Sequence, residues 1–277
     1  MTDIGFVGLA ITGILVLVAI GLSLWRQLGL EGSIAWAAVR AAVQLLAVGA
    51  VLTLLLDPDV SIIWSWCWVV AMIVFAAFTV SRRAPEVPRV FTLALSAFAV
   101  SSLVTLGVLF GLGVFELDAR TLIPLAGLMI GNSMTATVLV ARRLFDELRD
   151  KRDEVEARLA LGQPSTEAAR PYVRSALRTA LTPQIETTKA VGLVFLPGAM
   201  TGLILAGVDP VDAVLVQIAV MYVVLGSAAT TTTVVGLGVQ RRLFTRDHRL
   251  VAMPARASSS PAHRGRERPG WWWRFRT

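Results

Sequence analysis

Seven stretches of this chain are apolar and long enough to cross about 30 Å of hydrocarbon as helices rising about 1.5 Å per residue. They are Ile4–Trp25, Ile34–Leu56, Ile62–Val80, Val90–Gly113, Leu122–Ala141, Ala190–Gly207 and Val211–Val239. The pattern predicts an all-α fold, a polytopic transmembrane helical bundle of about seven spans. Only 16% of the residues are charged, below the roughly 25% of a soluble domain. The first stretch lacks a basic n-region and a small-residue cleavage site after Trp25-Arg26, so it reads as a span rather than a cleavable signal.

Loop charge gives the stretches a direction. Asp57 and Asp59 follow the second, and Glu116, Asp118 and a single Arg120 follow the fourth. Arg82, Arg83 and Arg89 follow the third, the loop after the fifth is rich in arginine, and Arg241-Arg242 end the seventh. This predicts the N-terminus outside, with the long loop and the C-terminus cytoplasmic. The expected organisation is a transmembrane domain over 1–240, containing a cytoplasmic helical loop at about 142–188, then a tail over 241–277. That tail holds ten Arg against one Asp and one Glu, while the whole chain carries +7. The body is therefore near neutral. A basic, Trp-containing tail on an apolar body points to membrane lipid headgroups or disorder, and not to nucleic acid.

The long loop has its own periodicity. Leu144, Leu148, Val155 and Leu159 share a helical face, with Glu147–Lys151 and Glu154–Arg158 as i,i+4 pairs. Gly162-Gln163-Pro164 breaks that helix, and Ser165 reads as the N-cap of a second one running to about Leu181, before Pro183. Arg170, Arg174 and Arg178 form a stripe at i, i+4, i+8. Such a stripe is either a solvated face or a docking surface for a cytoplasmic partner.

Within the spans, few residues carry polarity. Arg40 lies about two turns inside the second span, with Gln44 one turn further on the same face. Together they either line a polar path or let Arg40 snorkel to headgroups. The fifth span contains Pro124, Gly127 and Gly131, followed by Asn132, Ser133, Met134 and Thr135. The glycines suit close helix packing, but an amide such as Asn132 needs partners in hydrocarbon, which favours a substrate pathway. Pro197-Gly198 in mid-span marks a break in the sixth, the kind that opens backbone groups to a midplane site. Thr230–Thr233 in the seventh is weaker evidence of a site.

Absences restrict the function classes. No G-x-x-x-x-G-K-[ST] phosphate loop occurs, and the two lysines, Lys151 and Lys189, do not follow glycine. No Asp or Glu lies deep in a span, against a proton relay. The seventh span has no lysine for a retinal Schiff base, and no H-E-x-x-H pair suggests a protease. Cys67 is single and both histidines, His248 and His263, lie in the tail, so an intramembrane Cys/His metal cluster is excluded.

Three segments carry a resemblance. They are Val39–Leu45, Ala126–Met134, and Arg174–Arg178 followed by Lys189-Ala190-Val191-Gly192-Leu193-Val194-Phe195-Leu196-Pro197-Gly198-Ala199-Met200-Thr201-Gly202 through Pro210. They resemble the signature of the FetB family, ABC transporter permeases linked to iron export with plant relatives in aluminium tolerance. The similarity runs from about Ile34 to Leu250. It implies a multi-pass inner (plasma) membrane permease subunit, working as a homodimer with a separate cytoplasmic ABC ATPase. No cofactor is implied in this chain, and ATP and Mg would reside on the partner. The loop around Gly162, Glu167, Ala168, Arg170, Arg174 and Arg178 resembles the ATPase-coupling loop of such permeases. The implied path takes in Arg40, Gln44, Asn132, Ser133, Met134, Lys189, Pro197, Gly198 and Met200. No metal ligands are assigned. Thioethers of Met129, Met134, Met200 and Met221 suit Cu(I) better than iron, and Arg40 suits an anionic or chelated cargo better than a bare cation. The rival from another class is a seven-span receptor or sensor without transport activity.

Overall fold

In hydrocarbon a backbone N–H or C=O has no water to bond, so an apolar run closes its hydrogen bonds internally as a helix. The computed structural model describes residues 6–57, 59–192, 196–245, 247, 249–251 and 253. Its elements are α1 (Phe6–Trp25), α2 (Glu31–Leu55), α3 (Ile63–Arg83), α4 (Val90–Gly111), α5 (Ala119–Asp150), α6 (Arg152–Ala160), α7 (Ser165–Ala190), α8 (Gly198–Leu205) and α9 (Pro210–Leu243). Phe244 and Leu250 form an isolated antiparallel bridge, and no extended strand occurs among the described residues. The all-α expectation holds.

Five helices, α2, α3, α4, α5 and α9, are long and apolar enough to span a membrane; α1 contributes a shorter apolar stretch, Ile11–Trp25. The sixth expected run, Ala190–Gly207, is not one helix. α7 ends at Ala190, Val191 is extended (φ −64°, ψ 137°), and Gly192 takes φ +91°. That left-handed backbone is open to glycine and strained for most other residues. Pro197 is extended again (φ −64°, ψ 147°) and opens α8, whose 8 residues cover only about 12 Å.

Two other boundaries move. The expected fifth span and the first half of the first loop helix merge into the 32-residue α5. A turn at Lys151 separates α5 from α6, and the expected Glu147–Lys151 pair does not form. Glu147 instead meets Arg143 at 3.0 Å and accepts from Ser175 Oγ at 2.8 Å, while Lys151 lies 3.9 Å from Glu154. The Glu154–Arg158 pair is present at 3.3 Å. Pro164, rather than Ser165, occupies the N-cap position of α7. α7 also runs through Pro183 to Ala190 instead of stopping near Leu181. Proline removes one helical hydrogen bond, that to the carbonyl of Thr179. Thr179 and Pro183 are both exposed, so on a wetted face water can serve that carbonyl. The Trp-Arg end of the tail lies outside the described residues.

The chain divides into two compact units. The first comprises Met1–Met72 and Val108–Gly127, the second Ile73–Gly107 and Leu128–Thr277. In the first, α1 and α2 form a hairpin. Its turn uses positive φ at Gln27 and Gly29, and Ser23 Oγ donates to Glu31 Oε1 at 2.8 Å. α2 buries none of its residues.

In the second unit, α7 lays a small-residue face of Ala168, Ala169, Ala176 and Ala180 into the core. Gly236 of α9 permits this approach: a Cβ there would sit 3.1 Å from Leu177 Cδ2 and 3.4 Å from Val140 Cγ2. Gln240 Nε2 donates to the Thr166 carbonyl at 3.3 Å. Hydroxyls join the apolar contacts. Ser133 Oγ on α5 lies 3.2 Å from Ser227 Oγ on α9, and Ser101 Oγ on α4 donates to the Ser227 carbonyl at 3.2 Å. At the end of α9, Arg242 donates to the carbonyls of Pro88 and Arg89 and to Thr92 Oγ1, fixing α9 to the turn before α4.

Gly238 is the tightest of these contacts, because a Cβ there would overlap the buried side chain of Leu93. Gly238→Val should therefore lower stability by about 1–3 kcal/mol through overpacking, read as a lower unfolding temperature in detergent. Gly226→Val, at an open position on the same helix, should change it little.

Candidate functional site

The arginine stripe forms one wall of a groove on the loop helices. α7 presents opposite faces: its alanines, Tyr172 and Val173 are buried, while Arg170, Arg174 and Arg178 are exposed. With Arg158 of α6 these arginines line a cavity of about 720 Å³. Glu167 is 3.8 Å from Arg170, and Glu154 is 3.3 Å from Arg158. Among the described residues Arg174 and Arg178 have no ion-pair partner, so the groove carries uncompensated positive charge. Gly162, with φ +84°, makes the tight turn that brings α6 back along α7.

A buried phenol supports the groove from behind. The Tyr172 phenol first, then Arg158 and Lys151, hold the Glu154 carboxyl below the usual range against some desolvation, although the Tyr172 hydroxyl makes no hydrogen bond of ordinary geometry. Burial, and then the Glu154 charge, push the Tyr172 phenol up.

The second feature is the broken sixth run. α7 leads without interruption from the arginine groove to Val191-Gly192, where a separate cavity of about 420 Å³ opens against α8 and α9. Met200 lines this cavity together with Met221. Pro197 is buried and Gly198 exposed at the start of α8. Lys189 is exposed and paired with Glu186 at 2.9 Å.

The remaining sequence-derived site residues scatter. Arg40 and Gln44 are exposed on α2, in the first unit. Asn132 is exposed on α5, and its amide finds a partner in its own helix, donating to the Leu128 carbonyl at 2.7 Å. That bond uses one of the two amide donors. Ser133 is buried in the serine contact with α9, and Met134 is half-buried. Ala168 is fully buried, so it belongs to the packing face of α7, whereas Glu167 is exposed beside the stripe. In the threonine run, Thr231 and Thr232 are buried, and Thr231 Oγ1 bonds back to the Ser227 carbonyl at 2.8 Å. Gln217, which lines the second cavity, was not singled out by sequence. The available signal was an amide in an otherwise apolar stretch, the same signal that drew attention to Asn132. No group of three or more His, Cys, Asp or Glu that could hold a metal occurs among the described residues.

This architecture is that of a multi-pass helical membrane protein. Over residues 6–244 the chain matches the family described as Uncharacterised protein family (UPF0014), and it belongs to that family. It is 38% identical over 217 residues to "UPF0014 membrane protein STAR2" of Oryza sativa subsp. japonica, covering 78% of this chain and 76% of the relative. It is 34% identical over 247 residues to "Probable iron export permease protein FetB" of Escherichia coli, covering 88% and 93%. It is 36% identical over 231 residues to "Protein ALUMINUM SENSITIVE 3" of Arabidopsis thaliana, covering 82% and 83%. No solved structure matches the chain.

The lowered Glu154 carboxyl gives a pH signature. The folded carboxyl titrates below its ordinary value of 4.5, so the folded state binds fewer protons than the unfolded chain between the two values. Its stabilising effect is complete above 4.5 and is lost as pH falls through the depressed value. Amide exchange in α6 should therefore accelerate in the native protein as pH drops through that window, after correction for intrinsic exchange rates. Glu154→Gln should exchange faster at neutral pH and show less of the acid-dependent change.

Proposed function

We propose that this protein is the permease subunit of an ATP-driven exporter of the ABC type, with iron or another metal as its cargo, energised by a separate cytoplasmic ATPase that carries the ATP and Mg. The observation that carries the reading is the continuity of α7: one helix joins an unneutralised arginine groove to the break in the sixth run. A relative bears the name of an iron export permease, and this chain has no phosphate loop of its own.

In this reading the N-terminus is outside and the loop cytoplasmic, within a 1–240 permease domain in the inner membrane. Gly162, Glu167, Arg170, Arg174 and Arg178 meet the ATPase, with Ala168 holding the opposite face of α7 in place. The cargo path draws on Arg40, Gln44, Asn132, Ser133, Met134, Lys189, Pro197, Gly198 and Met200. α2, which buries nothing in one copy, faces a second copy in a homodimer.

The test is co-purification and coupling with the ATPase. The permease should retain a nucleotide-binding partner and stimulate its hydrolysis. Arg174→Glu with Arg178→Glu should weaken that association by at least ~10-fold, because opposed like charges cost several kcal/mol, and should abolish export from vesicles while the permease stays folded. A permease that never binds or stimulates an ATPase would instead be read as a receptor or sensor, and unchanged export in the double variant would remove the docking role.

A further inference from the structure

The arginine stripe of α7 has a second flank, toward α9. There Arg170 and Arg174 line a cavity of about 460 Å³, on the side away from the groove along α6. Its apolar walls include Leu177, half-buried, and Leu237 of α9, which is 45% exposed. Glu167 lies 3.8 Å from Arg170 and offsets that charge in part. Arg174 is exposed and has no ion-pair partner among the described residues. The lining thus holds two arginines and one glutamate, a net charge of +1.

The cavity lies where α9 changes character. From Val211 to Val239 that helix carries Asp212 as its one charged residue, and Gln240, Arg241 and Arg242 follow. A helix this apolar leaves hydrocarbon near such a boundary. α7 crosses α9 at the same level. Gln240 Nε2 donates to the Thr166 carbonyl at 3.3 Å, and a Cβ at Gly236 would sit 3.1 Å from Leu177 Cδ2. Leu237 stands between those two contacts on α9, and Arg170 and Arg174 stand between them on α7. Cation and exposed apolar surface therefore meet at headgroup height, as they do in basic pockets that hold lipid headgroups between helices.

We propose that this cavity is a binding site for an anionic phospholipid, with the phosphodiester on Arg174 and Arg170 and one acyl chain over Leu177 and Leu237. The single negative charge of a phosphatidylglycerol-type headgroup balances the lining, whereas a zwitterionic lipid brings a cation of its own. A free phosphate would gain nothing from Leu237. A polyacidic protein segment fits the groove along α6 better, where Arg158 and Arg178 join the same two arginines. Lipid binding is a property of the permease alone and does not depend on the ATPase reading.

Native mass spectrometry of the full-length permease in detergent resolves individual bound lipids. Dioleoyl-phosphatidylglycerol should fill one site more tightly than dioleoyl-phosphatidylcholine by about fivefold or more, the factor expected for one arginine at a membrane surface. Arg174→Gln should cut that preference to within about twofold. Leu237→Asn keeps the charge and removes apolar wall, and should weaken phosphatidylglycerol binding by about threefold or more. Arg83→Gln, which removes an exposed charge at the end of α3, should leave binding unchanged. All three changed side chains are exposed, so the variants should fold. Inorganic phosphate in excess should not displace the lipid. Equal affinity for the two lipids, unchanged binding in either Arg174→Gln or Leu237→Asn, or an equal loss in Arg83→Gln would overturn the proposal. Displacement by phosphate would make this an ion site and overturn it too. Intact lipid binding in Arg174→Gln beside a lost ATPase association would give the arginine to the protein partner and end the lipid assignment.

Discussion

The constraint on which the rest of this structure depends is that backbone polar groups have no water partner inside a membrane. It makes every long apolar run helical, and it makes the one interruption informative. Between Ala190 and Gly198 the chain leaves helical geometry, through extended Val191, left-handed Gly192 and extended Pro197. Non-helical backbone at such a place is tolerated where it is buried in protein or lines a cavity, and a cavity is present beside it. The break and the cavity are therefore one feature.

Much of this was legible in the sequence, and the misses share a cause. Hydropathy located five of the seven expected runs as helices long and apolar enough to span a membrane, because transfer into hydrocarbon depends on composition more than on context. Pro197-Gly198 announced the break. The sequence reading stopped the second loop helix at Pro183, and here local propensity misled. A proline on an exposed side of a helix costs one backbone hydrogen bond, and α7 continues past Pro183 to Ala190. Leu144, Leu148, Val155 and Leu159 were recognised as one apolar face; the first three are fully buried and Leu159 is half-buried, but the turn at Lys151 was not visible, since nothing at that position breaks a helix by type. Asn132 and Gln217 show the limit of reading polarity alone. Both are amides in apolar stretches; one donates within its own helix, and the other leaves an acceptor unmet. Sequence does not distinguish them, because the difference lies in which side of the helix the core occupies.

The hydroxyl contacts among α4, α5 and α9 follow the same logic from the other direction. In an apolar setting a serine adds little by its size but much by its direction. Ser227 is met by Ser133 from α5, while its carbonyl accepts from Ser101 of α4. Small side chains allow the helices to approach, and the hydrogen bonds select one register among the many that apolar packing alone would accept. This part of the second unit is therefore held by direction as well as by area.

Rigidity of this kind is what a transport reading requires of α7. Its 26 residues reach roughly 39 Å at 1.5 Å per residue. Near its start, Thr166 is tied to α9 by Gln240, and further along Leu177 packs against Gly236. The helix is thus held along its first half, while its far end opens into the break. A force on the arginine face would not bend a helix whose opposite face is close-packed alanine; it would move the helix as a unit. The motion would be taken up where the backbone ladder is interrupted, at Pro183 and at Val191 and Gly192. Val191 and Gly192 also line the cavity. One compliant point of the lever and the wall of the pocket are then the same residues, so a displacement at the groove changes the pocket without a separate signalling route.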